Sequence, residues 1–179
     1  MYAHYPEKRY RNTLGFLKKH VGTHRSILDL GVPNPFSEIM QAEGYTVTNT
    51  GGEDLDLDLC AVAQTDAEVV TAFEILEHLV SPLNVLRAIP GDTLLASVPL
   101  RLWFAPAYRS KTDPWDRHYH EFEPWQFDWL LEKAGWHIQD SLTWSHPVGK
   151  IGFRPLLRRF TPRYYLVMAT RDPKKGSNP

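Results

Sequence analysis

A single cysteine, Cys60, in 179 residues excludes an intramolecular disulfide framework and a multi-cysteine zinc site. No apolar run approaches the roughly 18 residues that a membrane-spanning helix requires. The opening Met1-Tyr2-Ala3-His4 lacks the apolar core of a secretory signal, so a cytoplasmic protein is expected. Between Ser26 and Leu86 there is no lysine or arginine at all, against eleven acids. Residues 1–25 carry six Lys/Arg and one acid, and from His137 onward eight Lys/Arg face only Asp140 and Asp172. The net charge of −1 therefore conceals a basic, an acidic and a second basic block. An acidic centre suits a cationic ligand and a basic flank suits an anionic one. Apolar residues at 42% and charged residues at 23% are ordinary globular values, which excludes wholesale disorder and a fibrous protein. The length fits one domain.

Tyr10, Leu14, Leu17 and Val21 fall at helical spacing and predict an amphipathic lead-in helix within residues 1–25. Ser26 to Gly31 reads as a short buried strand. Val32-Pro33-Asn34-Pro35 is then a loop, with Asn34 as N-cap and Pro35 at the first helical position, where a missing N–H costs nothing. Gly44 ends that helix, and Tyr45 to Thr48 is a β-branched second strand. Glu68 to Phe73 and Thr93 to Val98 are further strands, separated by a helix opening at Ser81-Pro82. Residues 101–123 have little periodicity and many Trp, Tyr, His and Pro residues, as a functional lid would. Trp125 to Ala134 is a helix on which Trp125 and Trp129, four apart, are expected in the core. Trp136 to Trp144 and Tyr164 to Thr170 are expected as strands joined by a Pro- and Arg-rich connection, and 173–179 as a frayed tail. Alternating strands and helices predict an open α/β sheet, with ligands outside the carboxyl ends of its strands.

Four ordered segments carry a resemblance. They are Ile27-Leu28-Asp29-Leu30-Gly31, Phe73-Glu74-Ile75-Leu76-Glu77-His78, Gly91 to Pro99, and His118 to Pro124 followed by Ala134-Gly135-Trp136. Together they resemble the small class I S-adenosylmethionine-dependent methyltransferases of type 11 and type 23, over roughly residues 26–140. The resemblance implies a Rossmann-like, mostly parallel seven-stranded sheet with an antiparallel last strand and helices on both faces, over a domain of residues 26–172. It implies S-adenosylmethionine as cofactor, bound by Asp29, Gly31, Val32 and Asn34 on the first loop. Phe73 and Glu74 would line its other side, Asn49 would stand where a ribose-binding acid is usual, and Asp56 or Asp58 would approach the adenine.

Two departures from that pattern are visible. The second and third glycines of the first loop are Pro33 and Pro35, which fix φ and remove N–H donors. That opposes a nicotinamide dinucleotide, whose pyrophosphate needs close backbone approach and amide donors. Asn49 replaces the ribose acid, with Glu53 or Asp54 as substitutes after two glycines. Asp54, Asp56 and Asp58 alternate as in a calcium loop, but Leu59 and Thr65 stand where that loop requires Gly and Glu. His118, His120 and His78 are the candidate proton-transfer residues, because imidazole titrates near neutral pH. Their pattern lacks a matching Cys or acidic cluster, so no metal is expected. The expected partner is a small molecule, with an anionic one suited to the basic stretch around Arg154, Arg158 and Arg159. Nucleic acid is not expected, since no recognisable module is present, and nothing here reads out an oligomeric state. The alternative function is a methyltransferase-fold module that binds without catalysing.

Overall fold

The burial of β-branched and leucine runs builds one six-stranded sheet in the computed structural model, which describes residues 7–113, 115–147, 149 and 151–172. The strands are β1 (Ser26–Asp29), β2 (Thr46–Asn49), β3 (Val69–Phe73), β4 (Thr93–Pro99), β5 (His137–Ser145) and β6 (Pro162–Thr170), in the order β2-β1-β3-β4-β6-β5. The first four are parallel; β6 runs antiparallel to both β4 and β5. The central strands are buried on both faces, which is why β3 and β4 read as continuous apolar runs.

Helices α1 (Glu7–His20) and α2 (Pro35–Ala42) pack with one face of the sheet, where Leu17, Phe36, Met40 and Leu166 share a buried cluster. Helices α3 (Cys60–Ala63), α4 (Pro82–Ala88) and α5 (Pro124–Lys133) lie with the other, through Val62, Leu86, Phe127 and Leu131. The predicted cap of α2 is present: Asn34 Oδ1 accepts from the N–H groups of Phe36 and Ser37, and Pro35 occupies the first turn. Gly44 follows that helix at φ +94°, a left-handed conformation that its missing Cβ permits.

The sheet has six strands among the described residues, not seven. The seventh strand that the resemblance implied is not among them, and residues 50–68, between β2 and β3, form turns and the single-turn α3. The cause is local. Asp54 accepts from the Asp56 N–H at 3.0 Å, and Asp58 accepts from the Cys60 N–H at 2.9 Å. Aspartates that bond their own backbone two residues on make turns, and the Asp-Leu alternation therefore fails to extend.

Two further expectations change. Trp125 and Trp129 are 59% and 56% exposed, while Phe127 is 0% exposed and, with Leu131, forms the buried stripe of α5. The four-residue spacing was right for a shared face, but that face is the outer one. The connection between β5 and β6 contains α6 (Phe153–Phe160), with Pro155 in its first turn, where a proline is tolerated. None of its residues is buried. The expected tail, 173–179, lies outside the described residues, as does the part of the lead-in before Glu7.

The lead-in helix is tied to the far edge of the sheet. Lys19 Nζ and His20 Nε2 reach the same Asp140 oxygen on β5, at 2.6 and 2.8 Å. Lys19 above all, with the Ser141 N–H and His20, lowers the Asp140 pKa to about 2. A carboxyl depressed on folding stabilises the fold above its unfolded pKa and loses that contribution as pH falls toward its folded one. Asp140→Asn should therefore lower the melting temperature at neutral pH and flatten its decline between about pH 4 and pH 2. Thermal melts across that range check this. In α5, Phe127→Ala should cost about 3–5 kcal/mol through the cavity it leaves. Trp129→Ala should cost under about 1 kcal/mol, a contrast readable by denaturant titration.

Candidate functional site

A cavity of about 310 Å³ opens at the carboxyl ends of β1 and β3. Its floor is the buried carboxylate of Asp29 at the end of β1. The register places Asn49 of β2 and Thr71 of β3 directly beside Asp29. Thr71 Oγ1 donates to Asp29 Oδ1 at 2.7 Å. Oδ2 accepts from Ser37 Oγ at 3.1 Å, Asn49 Nδ2 at 3.1 Å and Asn34 Nδ2 at 3.3 Å. Burial raises the Asp29 pKa, and these four donors oppose the rise.

The first loop turns over this carboxylate. Gly31 takes φ +107°, and a Cβ there would meet Ile75 Cδ1 at 3.4 Å, so glycine answers both a left-handed turn and a close approach. The amides of the loop are committed inward. Gly31 N–H donates to Thr50 Oγ1 at 2.7 Å, Asn34 N–H to Ser37 Oγ, and Phe36 and Ser37 N–H to Asn34 Oδ1. Pro33 and Pro35 have no N–H to offer. The loop consequently lacks the ring of free amides that a pyrophosphate would need.

Across the cavity, Glu74 follows β3 at φ +56°, a conformation rare for a residue with a side chain. Its N–H bonds the Ser97 carbonyl at 3.0 Å and its Oε1 accepts from Ser97 Oγ at 2.9 Å. Oε2 lies 3.6 Å from Arg9 Nη1, which reaches in from α1. Burial raises the Glu74 pKa, with the Arg9 charge and the Ser97 hydroxyl working against it. Arg9 itself sits near the rings of Tyr10 and Tyr164 at 5.5 and 5.7 Å. Phe36 stands between Tyr10 and Phe73, at 5.1 and 5.5 Å between ring centres, and supplies the apolar wall.

Of the residues expected to bind cofactor, Asp29, Gly31, Val32, Asn34, Phe73 and Glu74 border this cavity. Asn49, Asp56 and Asp58 do not. Asn49 spends its amide on Asp29 and Ser37. Asp56 accepts from the N–H groups of Val80 and Ser81 at 2.8 and 2.7 Å, fastening the entry of α4. Asp58 accepts from the Cys60 N–H in the turn that leads into α3. Arg9, Tyr10 and Thr13 were not anticipated as wall residues, although their spacing places them on one side of a helix.

The three candidate histidines also lie outside the cavity wall. His118 Nδ1 bonds Glu121 Oε1 at 2.9 Å, His78 Nδ1 bonds the Arg117 carbonyl at 2.8 Å, and His120 Nε2 lies 3.3 Å from the Val80 carbonyl. His78 and His118 meet edge to face at 5.0 Å, beyond the turn that carries the buried Glu77. Burial, followed by repulsion from Glu74, pushes the Glu77 carboxyl well above the ordinary carboxylate range. The segment 101–123 is anchored on that same turn, since the Tyr119 and His120 N–H groups both donate to the Glu77 carbonyl. Trp103, Tyr108 and Trp115 of the 101–123 segment are exposed and form no part of this wall.

Parallel strands closed by an antiparallel β6, with a cavity at the first loop, define a class I methyltransferase fold. Solved structures agree. The 1,6-didemethyltoxoflavin-N1-methyltransferase of Burkholderia thailandensis, determined with 1,6-didemethyltoxoflavin and S-adenosylhomocysteine, aligns at TM-score 0.64 and 17% identity, over 93% of this chain and 80% of that one. A SAM-dependent methyltransferase from Archaeoglobus fulgidus aligns at 0.60 and 15%, over 92% and 94%. The cyclase SpnF aligns at 0.56 and 13%, over 95% and 83%. No family model matches the sequence, and no curated protein matches it. Identities this low establish the fold.

The Asp29 network makes a direct prediction. In Asp29→Asn the new amide can still accept from one donor but must turn its NH₂ toward others. Loss of about 2 kcal/mol of stability is expected, the usual cost of stranding buried donors. Denaturant titration measures it.

Proposed function

We propose that this protein binds S-adenosylmethionine in the cavity between the first loop and Glu74, and transfers its methyl group to a small-molecule acceptor. The observation that carries the reading is the pairing of a methyltransferase-fold sheet with a cavity at its strand ends that presents both Arg9 and Glu74. At about 310 Å³ the cavity falls at the lower end of the roughly 300–1,000 Å³ typical of small-molecule sites.

The chain's own groups suit this cofactor on three counts. Arg9 offers a cation to a carboxylate, and Glu74 an anion to an ammonium or sulfonium. That the Gly31, Asn34, Phe36 and Ser37 amides are already bonded, and that Pro33 and Pro35 have none, is no handicap for a ligand without phosphate. Glu53 supplies an acceptor near the place where Asn49 does not: its Oε1 is buried without a partner. It follows Gly52, where a Cβ would lie 3.0 Å from Val32 of the cavity wall. We assign Glu53 to the ribose hydroxyls.

S-adenosylmethionine supplies an electrophilic methyl on a sulfonium, and displacement there needs an acceptor held in line. Catalysis by this chain would rest on proximity and orientation. None of His78, His118 and His120 lines the cavity, and we assign them no proton transfer. Arg154, Arg158 and Arg159 on α6 would favour an anionic acceptor. Calorimetric titration of chelator-treated protein with S-adenosylmethionine and S-adenosylhomocysteine tests the reading. Binding of both is expected, weakened about tenfold or more in Glu53→Gln by loss of a charge-assisted hydrogen bond. No binding of either at millimolar concentration overturns it.

A second reading, a binding module without catalysis, draws support from Asn49, whose amide is committed to Asp29. The fold alone leaves it open, because one fold hosts several chemistries. Methyl transfer to any acceptor, followed with labelled cofactor, eliminates it.

A further inference from the structure

We propose that Glu77, His78 and His118 form a binding site for a divalent transition-metal ion, beside the cavity and separate from its wall. One ligand atom from each of the three lies within 4.8 Å of the others. His78 Nε2 is 3.7 Å from Glu77 Oε1. Two ligands on one ion, each about 2.1 Å from it, stand up to about 4.2 Å apart, so these separations are near those of a bound site.

The tautomers point the same way. A carbonyl and a carboxylate can only accept, so the Arg117 carbonyl and Glu121 Oε1 each require a proton on the Nδ1 they bond. In the neutral form of each ring the lone pair then lies on Nε2. An imidazole that donates its outer N–H to a carbonyl or carboxylate while its other nitrogen faces inward is the usual support of a metal-ligating histidine. Independently, the Glu77 side chain is 1% exposed and its Oε2 has no hydrogen-bond partner. A buried carboxyl oxygen left unpaired is costly, and a cation at this point would satisfy it.

The donor set selects the ion. Two imidazoles and one carboxylate suit Zn²⁺ and its neighbours better than Mg²⁺ or Ca²⁺, which prefer oxygen. Three protein ligands also leave a position open. The neighbouring His120 is not a member of the cluster, because it bonds the Val80 carbonyl and stacks on Phe122 at 5.4 Å. His118 instead meets His78 and Glu77, 40 and 41 positions earlier in the chain. Glu77 is two residues beyond Ile75, which borders the cavity. An ion here would be placed to hold an acceptor oxygen and lower its pKa, a role that rests on the methyl-transfer reading, whereas the site itself does not.

The test uses untagged protein stripped with chelator and dialysed against Zn²⁺, and against Co²⁺ as a visibly absorbing substitute, with excess Mg²⁺ and no methyl donor. About one ion per chain is expected, with affinity falling roughly tenfold or more in His118→Ala and Glu77→Gln and unchanged in the surface variant His137→Ala. Equal affinity in wild type and His118→Ala overturns the site, as does no binding by wild type. Should the variants fail to fold, the Co²⁺ spectrum of wild type decides. A band shifted and strengthened by nitrogen ligation supports the site, and the spectrum of the hydrated ion overturns it. Metal binding is read without methyl donor and cofactor binding without metal, so either reading can fail alone.

Discussion

The Asp29 carboxylate is the constraint on which the rest of the site depends. A buried anion is tolerated only when its lone pairs are filled, and here the filling is done by four different segments. Thr71 comes from β3, Asn49 from β2, Ser37 from α2, and Asn34 from the loop that opens α2. One side chain thereby fixes the relative heights of three parallel strands and the entry angle of a helix. Asn49 follows from the same constraint. A carboxylate at that position, in register with Asp29, would set a second anion beside the buried one, whereas an amide donates. The departure from the usual ribose acid is thus coupled to how this chain satisfies the acid it keeps.

The segregation of charge along the sequence becomes partial mixing in space. The acid-only stretch does supply Asp29 and Glu74 to the cavity, but Asp54, Asp56 and Asp58 are used to make turns and fasten α4. The basic first block returns to the site through Arg9, paired with Glu74. Lys19 and His20 of the same helix grip Asp140 on β5. The lead-in helix is therefore a wall of the cavity and a brace across the sheet: Arg9 joins the basic block to the acidic one, and Lys19 and His20 join it to one of the few acids of the second basic block.

The fold was legible where periodicity and backbone chemistry agree. The Asn34-Pro35 cap, the Gly31 turn and the four parallel strands each follow from what those residues can do locally. Three features were not legible. Spacing shows that Trp125 and Trp129 share a face but not which face is inward, and the more regular apolar pair Phe127 and Leu131 takes the core. The Asp-Leu alternation at 54–58 carries the period of a strand, yet aspartate's capacity to bond nearby amides prevails. Glu53 was visible only as one of two substitutes, because nothing in the sequence shows whose oxygen is left without a partner.

The convergence at Glu77 shows why spacing is a weak guide to chemistry assembled by tertiary structure. Glu77 and His78 sit on a single turn after β3, while His118 arrives on a segment with little regular structure of its own. What brings them together is backbone bonding. The Glu77 carbonyl receives two amides from the 101–123 segment, and the Arg117 carbonyl receives the His78 ring. The His78–Arg117 bond both anchors the segment and orients a side chain, while Glu121 within the segment orients His118. Anchoring and orientation therefore overlap at His78, and the segment is held to the Leu76–His78 turn by backbone and side-chain bonds together.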